Sequence, residues 1–215
     1  TIDASTASKA STIDLRNATL QNEVGGGGFI SEIIGEYKGF TIAYNSTGDC
    51  IIENAIGSNF NDRIIGNEYS NTIYGLSGDD EIFARGGSDY VYGGFGNDVI
   101  HGSFYGDPSN SIDTLSGGNG SDYFVLGDSS GLFYESSLLN DFANITDFNF
   151  AEDKIKLNKN YTYLTSITSS QNIHGLGIFK DNNSSGSLDS NDDLLAIISN
   201  KKDYLSFNNI NTELV

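Results

Sequence analysis

Residues 93–101 read GGFGNDVIH, and six further copies of this nine-residue pattern surround them. The copies are GSNFNDRII (57–65), GNEYSNTIY (66–74), GLSGDDEIF (75–83), ARGGSDYVY (84–92), an expanded copy at 102–116 and GGNGSDYFV (117–125). Glycine recurs at places one, two and four, aspartate or asparagine at place six, and a large apolar residue at place eight. A fixed short period predicts a solenoid, because each copy is one structural unit that must stack on its neighbours.

The spacing predicts how the copies stack. Strand side chains alternate between two faces, so in the short strand at places seven to nine only place eight points inward. The glycines at places one, two and four let the six-residue loop turn sharply at positive φ. Two nine-residue copies then complete one coil, so each copy stacks on the copy 18 residues later. We expect two files of place-six side chains, Asp62, Asp80, Asp98 and Asp122 in one file and Asn71, Asp89 and Asp113 in the other.

Stacked carboxylates in an acidic chain predict a cation. The 29 acidic and 11 basic residues give a net charge of −18. Ca²⁺ binds six to eight oxygens, and neighbouring loops supply two carboxylates and several backbone carbonyls for each ion. The pairs 62/80, 80/98, 98/122, 71/89 and 89/113 give about five positions, and about five ions would change the charge to about −8. The alternative is that these aspartates only form turns by bonding to their own backbone.

The turns differ in quality. The copies at 93–101 and 117–125 match the pattern fully. In the first two copies Phe60 and Tyr69 replace glycine and Asn71 replaces aspartate, so we expect the weakest binding there. The insertion in the expanded copy weakens the prediction of a site between Asp89 and Asp113.

Composition narrows the class of protein. The negative charge argues against a nucleic-acid partner, since phosphates would be repelled. No apolar run approaches the ~18 residues of a membrane span, and there is no N-terminal signal peptide. Cys50 is alone, so no disulfide within the chain is expected. The chain starts at Thr1 rather than methionine, and we expect it to be a fragment.

Three regions follow along the chain. Residues 1–56 are expected to form an opening β region, residues 57–125 the repeats, and residues 126–215 a C-terminal cap. The polar stretch 129–144 is expected to carry one short helix, and ITDFNFAEDKIKL (145–157) predicts a strand, a turn and a strand. The fold class is all-β.

The repeats resemble the calcium-binding nonapeptide of RTX proteins. TIDAST (1–6), IDLRNATLQN (13–22) and FTIAYNSTGDCIIENAIGSNFND (40–62) resemble the region that follows the catalytic domain of serralysin-type metalloproteases. Residues 122–157 resemble the C-terminal cap of RTX modules. The resemblance implies a right-handed parallel β-roll solenoid, flanked by β-sandwich-like N-terminal and C-terminal capping regions.

The resemblance also implies the metal ligands, at places two, four and six of each loop, the first two acting through backbone carbonyls. These residues are Ser58, Phe60, Asp62, Asn67, Tyr69, Asn71, Leu76, Gly78, Asp80, Arg85, Gly87, Asp89, Gly94, Gly96, Asp98, Gly118, Gly120 and Asp122, with Asp113 in the expanded copy. A further implied site uses the Glu53 carboxylate and the Ile51 carbonyl, with partner acids upstream of Thr1.

A second loop, DNNSSGSLDSND (181–192), resembles the calcium loop of an EF-hand. Its ligand places carry Asp181, Asn183, Ser185, the Ser187 carbonyl, Asp189 and Asp192, with Gly186 at the turn place. The flanking residues are strand-like, so we expect a calcium-clasped β-hairpin; the alternative is an ordinary polar turn. Asp192 stands where glutamate is usual, and its shorter side chain predicts weaker binding.

The resemblance implies a secreted, extracellular bacterial protein that folds on binding several Ca²⁺ ions and is exported by the type I secretion machinery. Glu213, Leu214 and Val215 resemble the acidic-then-apolar tail read by that machinery. An effector domain is expected N-terminal to this chain. Two alternatives stay open: the C-terminal part of a secreted zinc metalloprotease with its catalytic domain upstream, or an extracellular adhesin or matrix domain.

No enzyme is expected within the chain itself. The two histidines, His101 and His174, form no HExxH zinc motif. There is also no GxSxG nucleophile motif. Both histidines are expected at the surface, His101 on a strand and His174 in a polar loop.

Overall fold

The computed structural model describes residues 1–16, 29–31, 40–41, 52–104, 106, 111–134, 140–201, 203 and 205–215. Ile51 and Cys50 lie outside these residues. In the described part the chain is all-β, as predicted, and its helical structure is limited to a 3₁₀ turn at Phe207–Asn209. This part of the chain has no helix that is long and apolar enough to cross a membrane.

The described strands form two large sheets and a small hairpin. The first sheet contains, in spatial order, β1 (Ile2–Asp3), β5 (Asn54–Ile56), β7 (Thr72–Ser77), β9 (Tyr90–Phe95), β11 (Ile112–Asn119), β15 (Phe142–Ile145), β19 (Asp193–Ile198), β18 (Ile173–Lys180) and β17 (Tyr163–Ser170). The second contains β20 (Thr212–Leu214), β16 (Lys154–Leu157), β12 (Tyr123–Val125), β10 (Val99–His101), β8 (Glu81–Phe83), β6 (Arg63–Ile65), β2 (Thr12–Asp14), β3 (Phe29–Ser31) and β4 (Phe40–Thr41). The hairpin consists of β13 (Gly127–Asp128) and β14 (Gly131–Leu132).

Successive nonapeptides alternate between the two large sheets, and within each sheet the strands of the repeats pair in parallel. Thr72 aligns with Tyr90 in the first sheet and Arg63 with Glu81 in the second, so each copy stacks on the copy 18 residues later, as predicted. Across the expanded copy Tyr90 aligns with Thr114, an offset of 114 − 90 = 24 residues. The six inserted residues therefore leave the ladder in register.

The place-eight residues form the core between the two sheets. All are fully buried, as the repeat predicts: Ile64, Ile73, Ile82, Val91, Ile100, Leu115 and Phe124. Burying one such side chain contributes about 1.5–3 kcal/mol relative to leaving it exposed. The same column continues outside the repeats, where Ile13 aligns with Ile64 and Ile155 with Phe124. The flanking regions therefore add strands to the same two sheets.

The C-terminal region begins with the β13–β14 hairpin, which the sequence did not predict. The short helix expected within 129–144 stays a prediction, because residues 135–139 lie outside the described part and the described residues of this stretch contain no helix. Asp128 Oδ1 accepts the Ser130 N–H (2.7 Å), and this local bond favours a turn between β13 and β14. The second strand predicted for 145–157 is confirmed by β16, whereas the first strand, β15, ends at Ile145, where the predicted strand begins.

The histidine positions are also partly corrected. His101 is partly buried because its ring stacks between Phe83 (4.3 Å between centroids) and Phe133 (6.0 Å). Burial lowers the pKa of His101 to about 4. His174 is exposed as predicted, but it lies in β18, opposite Ser169 of β17, rather than in a loop.

Candidate metal centre

The place-six side chains form the two predicted files, and backbone hydrogen bonds join each file. In the first file Asp62 N–H donates to Asp80 Oδ1 (2.7 Å). Asp80 N–H donates in the same way to Asp98 Oδ1 (2.8 Å), and Asp98 N–H to Asp122 Oδ1 (2.9 Å). In the second file Asn71 N–H donates to Asp89 Oδ1 (2.7 Å) and Asp89 N–H to Asp113 Oδ1 (2.9 Å). One oxygen of each aspartate that accepts such a bond is therefore fixed by the preceding coil.

The second oxygen of three first-file carboxylates has no hydrogen-bond partner. These atoms are Oδ2 of Asp80, Asp98 and Asp122, and all three side chains are buried. A buried polar atom without a partner carries its full desolvation cost, which is larger still for a charged group. A hard cation inside the turn would satisfy these oxygens, so the residues present fit Ca²⁺.

The backbone of these turns is shaped by positive φ at places two and four. The residues concerned are Leu76 (+84°), Gly78 (+114°), Arg85 (+83°), Gly87 (+91°), Gly94 (+123°), Gly96 (+132°), Gly118 (+98°) and Gly120 (+135°). Leu76 and Arg85 adopt this conformation although they carry a Cβ, which costs about 1–2 kcal/mol for a non-glycine residue. The prediction of positive φ is thus confirmed at these two places.

At place one the prediction of positive φ is wrong. Glycine is needed there because neighbouring atoms leave no room for a Cβ. Gly75 and Gly93 do not have positive φ. A Cβ on Gly93 would collide with Asp98 Oδ2 and with the Gly117 carbonyl of the next coil, and a Cβ on Gly75 would meet the equivalent atoms. The inside of each such turn is therefore lined by carboxylate and carbonyl oxygens, which are the donors that Ca²⁺ prefers.

The first two turns are built differently. Asp62 accepts hydrogen bonds from Ser58 N–H and Ser11 N–H, and from Ser58 Oγ–H (2.8 Å). Asn71 accepts from Asn67 N–H (2.8 Å) and donates to Asn67 Oδ1 (3.1 Å). No residue of these two turns, all of which are described, has positive φ. Protein groups therefore bond to the place-six side chains of these two turns. This is the arrangement expected if the residues at place six only form turns.

Burial raises the pKa values of the first-file carboxyls. The pKa of Asp80 rises to about 8, that of Asp122 to about 7 and that of Asp98 to about 6, in each case chiefly because burial disfavours the charged form. The negative charge of Asp98 raises the pKa of both Asp80 and Asp122 further. A bound cation acts in the opposite direction because it favours the carboxylate.

Two aspartates that the repeat pattern does not predict continue the first file into the cap. Asp153 Oδ1 accepts the Asp122 N–H (3.0 Å), as a place-six residue does. Asp147 accepts the N–H groups of Gly117 (3.0 Å) and Gly118 (2.9 Å). The signal was present in Asp153-Lys154-Ile155, which repeats the spacing between places six and eight without the preceding glycines.

The other predicted ligands are placed as follows. Glu53 is exposed, and its backbone carbonyl accepts the Thr72 N–H (3.1 Å) in the β5–β7 ladder. The Arg85 side chain points away from its turn, where it pairs with Glu68 (2.7 Å). Phe60 and Tyr69 are exposed. Asp113 Oδ2 accepts a hydrogen bond from the Tyr134 hydroxyl (2.6 Å).

The 181–192 loop lies between antiparallel strands β18 and β19, so the predicted hairpin is confirmed. Asp181 accepts the N–H groups of Ser185 (3.0 Å) and Gly186 (2.9 Å). Asp192 accepts those of Asn182 (3.2 Å) and Asp189 (2.8 Å). Asp189 accepts the side-chain amide of Asn183 (2.7 Å), and the Ser187 carbonyl accepts the Ser185 hydroxyl (2.7 Å).

Across the described residues, no three His, Cys, Asp or Glu side chains gather as a ready metal cluster. The nonapeptide turns instead bring carboxylates together in successive pairs, with backbone carbonyls beside them. This agrees with a site in which main-chain oxygens supply a large share of the ligands.

Comparison with protein families identifies the repeats. The RTX calcium-binding nonapeptide repeat matches in four copies, over residues 56–91, 77–104 and 109–130. A search of the curated proteins gives no match. The matched residues contain the turns whose carboxylates and carbonyls line the two files. The chain therefore contains RTX calcium-binding nonapeptide repeats, and such repeats bind multiple Ca²⁺ ions.

Proposed function

We propose that this chain is a calcium-dependent folding module of a secreted bacterial protein. It folds on meeting Ca²⁺ outside the cell, supports export by the type I secretion machinery and stabilises an effector domain that lies N-terminal to it. Residues 1–56, 57–125 and 126–215 act in this proposal as the opening region, the calcium-binding roll and the C-terminal cap.

The observation that carries the proposal is the set of buried carboxylate oxygens without a hydrogen-bond partner, Oδ2 of Asp80, Asp98 and Asp122. A fold with such atoms is incomplete without a cation, because their desolvation is not compensated by any protein group. The chain also carries a net charge of −18, and self-repulsion of this size opposes the compact state.

The proposed ligands are the carboxylates of Asp80, Asp98 and Asp122 together with backbone carbonyls at places two and four of their turns. Asp147 and Asp153 extend this ligand set toward the cap because they continue the same file. The first two turns contribute less, since Ser58 and Asn67 already bond to their place-six side chains. When bound, Ca²⁺ supplies the positive charge that these oxygens lack.

Calcium binding is coupled to folding in this proposal. The unfolded chain does not hold the two files together, so the free energy of binding becomes free energy of folding. Where Ca²⁺ is scarce, repulsion between carboxylates keeps the chain extended, which suits export as an unfolded chain. Outside the cell, Ca²⁺ neutralises the files and the roll closes on its apolar core.

Circular dichroism of the whole 215-residue chain tests this coupling. We expect loss of the β spectrum in EGTA and its return on addition of Ca²⁺. Mg²⁺ is the matched control ion, because it demands a smaller octahedral shell and retains its waters. A β spectrum of unchanged intensity in EGTA would contradict the proposal.

Export is tested separately. A passenger protein fused N-terminal to residues 1–215 should leave cells that carry a type I exporter, and the same fusion should stay inside cells that lack the exporter. Equal retention in both strains would contradict the secretion role while leaving calcium-coupled folding intact.

A further inference from the structure

The turn of the expanded copy, which begins at Gly102 and ends at Asp113, differs from its neighbours in what lies inside it. In the turns of Asp80 and Asp98, the place-one glycine faces its own carboxylate Oδ2 and the carbonyl of the next coil. At Gly102 a Cβ would instead collide with the Tyr134 hydroxyl and approach Asp113 Oδ2. A side-chain hydroxyl therefore lies where the turns of Asp80 and Asp98 have a backbone carbonyl.

The Tyr134 hydroxyl bonds to the oxygen that the turns of Asp80, Asp98 and Asp122 leave without a partner. It donates to Asp113 Oδ2 at 2.6 Å, while Asp113 Oδ1 accepts the Asp89 N–H at 2.9 Å. Both oxygens of Asp113 thus have protein donors. The equivalent Oδ2 atoms of Asp80, Asp98 and Asp122 have none.

Tyr134 is held firmly in this position. Its side chain is fully buried. The preceding residue, Phe133, is anchored by a backbone bond to the Leu126 carbonyl (2.9 Å) and by stacking on His101. Burial and the negative charge of Asp113 raise the pKa of the Tyr134 hydroxyl well above its ordinary value, so the group remains a donor.

We propose that the Tyr134 hydroxyl replaces a calcium ion in the expanded turn, so that Asp113 is a structural carboxylate and the position between Asp89 and Asp113 binds no Ca²⁺. The segment 126–134 is thereby tied to the roll by a contact that does not need the metal. This inference rests on calcium binding by the neighbouring turns and not on the export role.

The number of ions bound per chain tests the proposal. Equilibrium dialysis with Ca²⁺ should give the same count for Asp113→Asn as for the unsubstituted chain, whereas the matched variant Asp98→Asn should bind at least one ion fewer. An equal loss in both variants would overturn the proposal. Circular dichroism at saturating Ca²⁺ verifies that each variant is folded.

Tyr134→Phe separates replacement of an ion from coordination of one. If the hydroxyl replaces the ion, the count is equal to or greater than that of the unsubstituted chain. A count lower by one would make Tyr134 a ligand and would refute the proposal.

A crystal of the Ca²⁺-loaded, unsubstituted chain decides the matter if Asp113→Asn does not fold. Anomalous scattering peaks are expected beside Asp98 and Asp122 and not beside Asp113. A peak coordinated by Asp113 Oδ2 would refute the proposal without the use of any variant.

Discussion

The nonapeptide turns and the 181–192 hairpin loop both bring aspartates together, but they satisfy them to different degrees. In the turn that ends at Asp98, the buried Oδ2 atom has no hydrogen-bond partner. In the hairpin loop, both oxygens of Asp181 and both oxygens of Asp192 accept backbone N–H groups. The hairpin loop is thus complete as a hydrogen-bonded turn, whereas the nonapeptide turn leaves a buried oxygen that a cation would satisfy.

A high density of aspartate therefore does not by itself indicate dependence on calcium. What matters is whether the backbone of the turn can supply donors to both carboxylate oxygens. The turns at Asp80, Asp98 and Asp122 use positive φ at places two and four, and their Oδ2 atoms accept no N–H group. In the proposed function calcium is therefore a structural requirement of the roll, whereas the aspartates of the hairpin already have backbone donors.

The largest expected effect is on stability, in a comparison of one glycine substitution from each region. Gly96 has φ +132° and a Cβ there would collide with the Gly78 carbonyl, whereas Gly186 has φ +69° with no atom within 4 Å of its Cβ. Gly96→Ala should reduce the free energy of unfolding by roughly 3 kcal/mol or more. Backbone strain at positive φ contributes about 1–3 kcal/mol of this loss and overpacking against the Gly78 carbonyl about 1–3 kcal/mol. Gly186→Ala should cost about 1 kcal/mol.

Urea unfolding at saturating Ca²⁺ measures both changes. Equal losses of unfolding free energy in the two variants would mean that the close stacking of the turns does not control stability. The backbones of the two regions would then not differ in their effect on stability.

The next effect concerns the carboxylates. Asp98→Asn keeps an oxygen acceptor but removes the charge, so it should lose at least one bound Ca²⁺. It should raise the calcium midpoint of folding by about tenfold or more, if the lost interaction is of the size of a hydrogen bond to a charged group, about 1.5–3 kcal/mol. Asp79→Asn is the control in the adjacent coil, next to Asp80 and outside the file. Asp79 is exposed, and its role as acceptor for Asn97 N–H (2.8 Å) survives the substitution.

A calcium titration followed by circular dichroism measures the midpoint, and dialysis counts the ions. If Asp79→Asn shifted the midpoint as far as Asp98→Asn, general surface charge rather than the buried file would govern calcium-driven folding.

The repeat spacing predicted most of the fold because one rule acts in every copy. The place-eight residues from Ile64 to Phe124 are all buried, and the place-six files pair as expected even across the insertion. The continuation through Asp153 was not predicted, because its loop lacks the glycines by which the repeat is recognised. The hairpin at 127–132 was not predicted either, since a local bond to Asp128 decides it.

The site was less predictable than the fold. Sequence identifies Asp62, Asp98 and Asp113 as equivalent, but their environments differ through partners distant in the chain. Ser11 donates to Asp62 from 51 residues away and Tyr134 donates to Asp113 from 21 residues away. Such tertiary donors carry no periodic signal, so the pattern cannot separate a carboxylate that requires a cation from one that is already satisfied.

The stability of the calcium-free fold should depend on pH through the first-file carboxyls. The folded pKa values of Asp80 (about 8), Asp122 (about 7) and Asp98 (about 6) lie above the ordinary value of 3.8. Over this range the folded state binds protons that the unfolded state releases, so the stability of the calcium-free fold falls as pH rises from about 4 to about 8. The metal-stripped chain should show more β signal at about pH 5 than at about pH 7.5.

With Ca²⁺ present, the stability of the fold should instead rise as pH rises. The metal binds the deprotonated carboxylates, and its affinity falls as pH decreases. Circular dichroism in metal-free and Ca²⁺-containing buffers compares the two series. The same direction of change in both would indicate that the first-file carboxyls are not the groups that titrate with folding.

The smallest effect is expected in the hairpin loop. If the 181–192 loop holds an ion, it binds after those of the roll, because its carboxylates must exchange existing N–H partners for the metal. Asp181→Asn should therefore remove one weakly bound ion and leave the calcium midpoint of folding unchanged. Asp193→Asn is a matched control just outside the loop, where the acceptor role toward the Asn182 side-chain amide (2.8 Å) is kept.

Three outcomes of this substitution have distinct meanings. Loss of one ion at an unchanged midpoint makes the hairpin a separate calcium site beside the roll. An unchanged ion count favours the ordinary polar turn, since the hydrogen bonds of Asp181 and Asp192 then suffice. A midpoint shifted as far as that of Asp98→Asn would contradict the distinction between the two regions, because folding of the roll would then depend on a loop whose aspartates already have backbone partners.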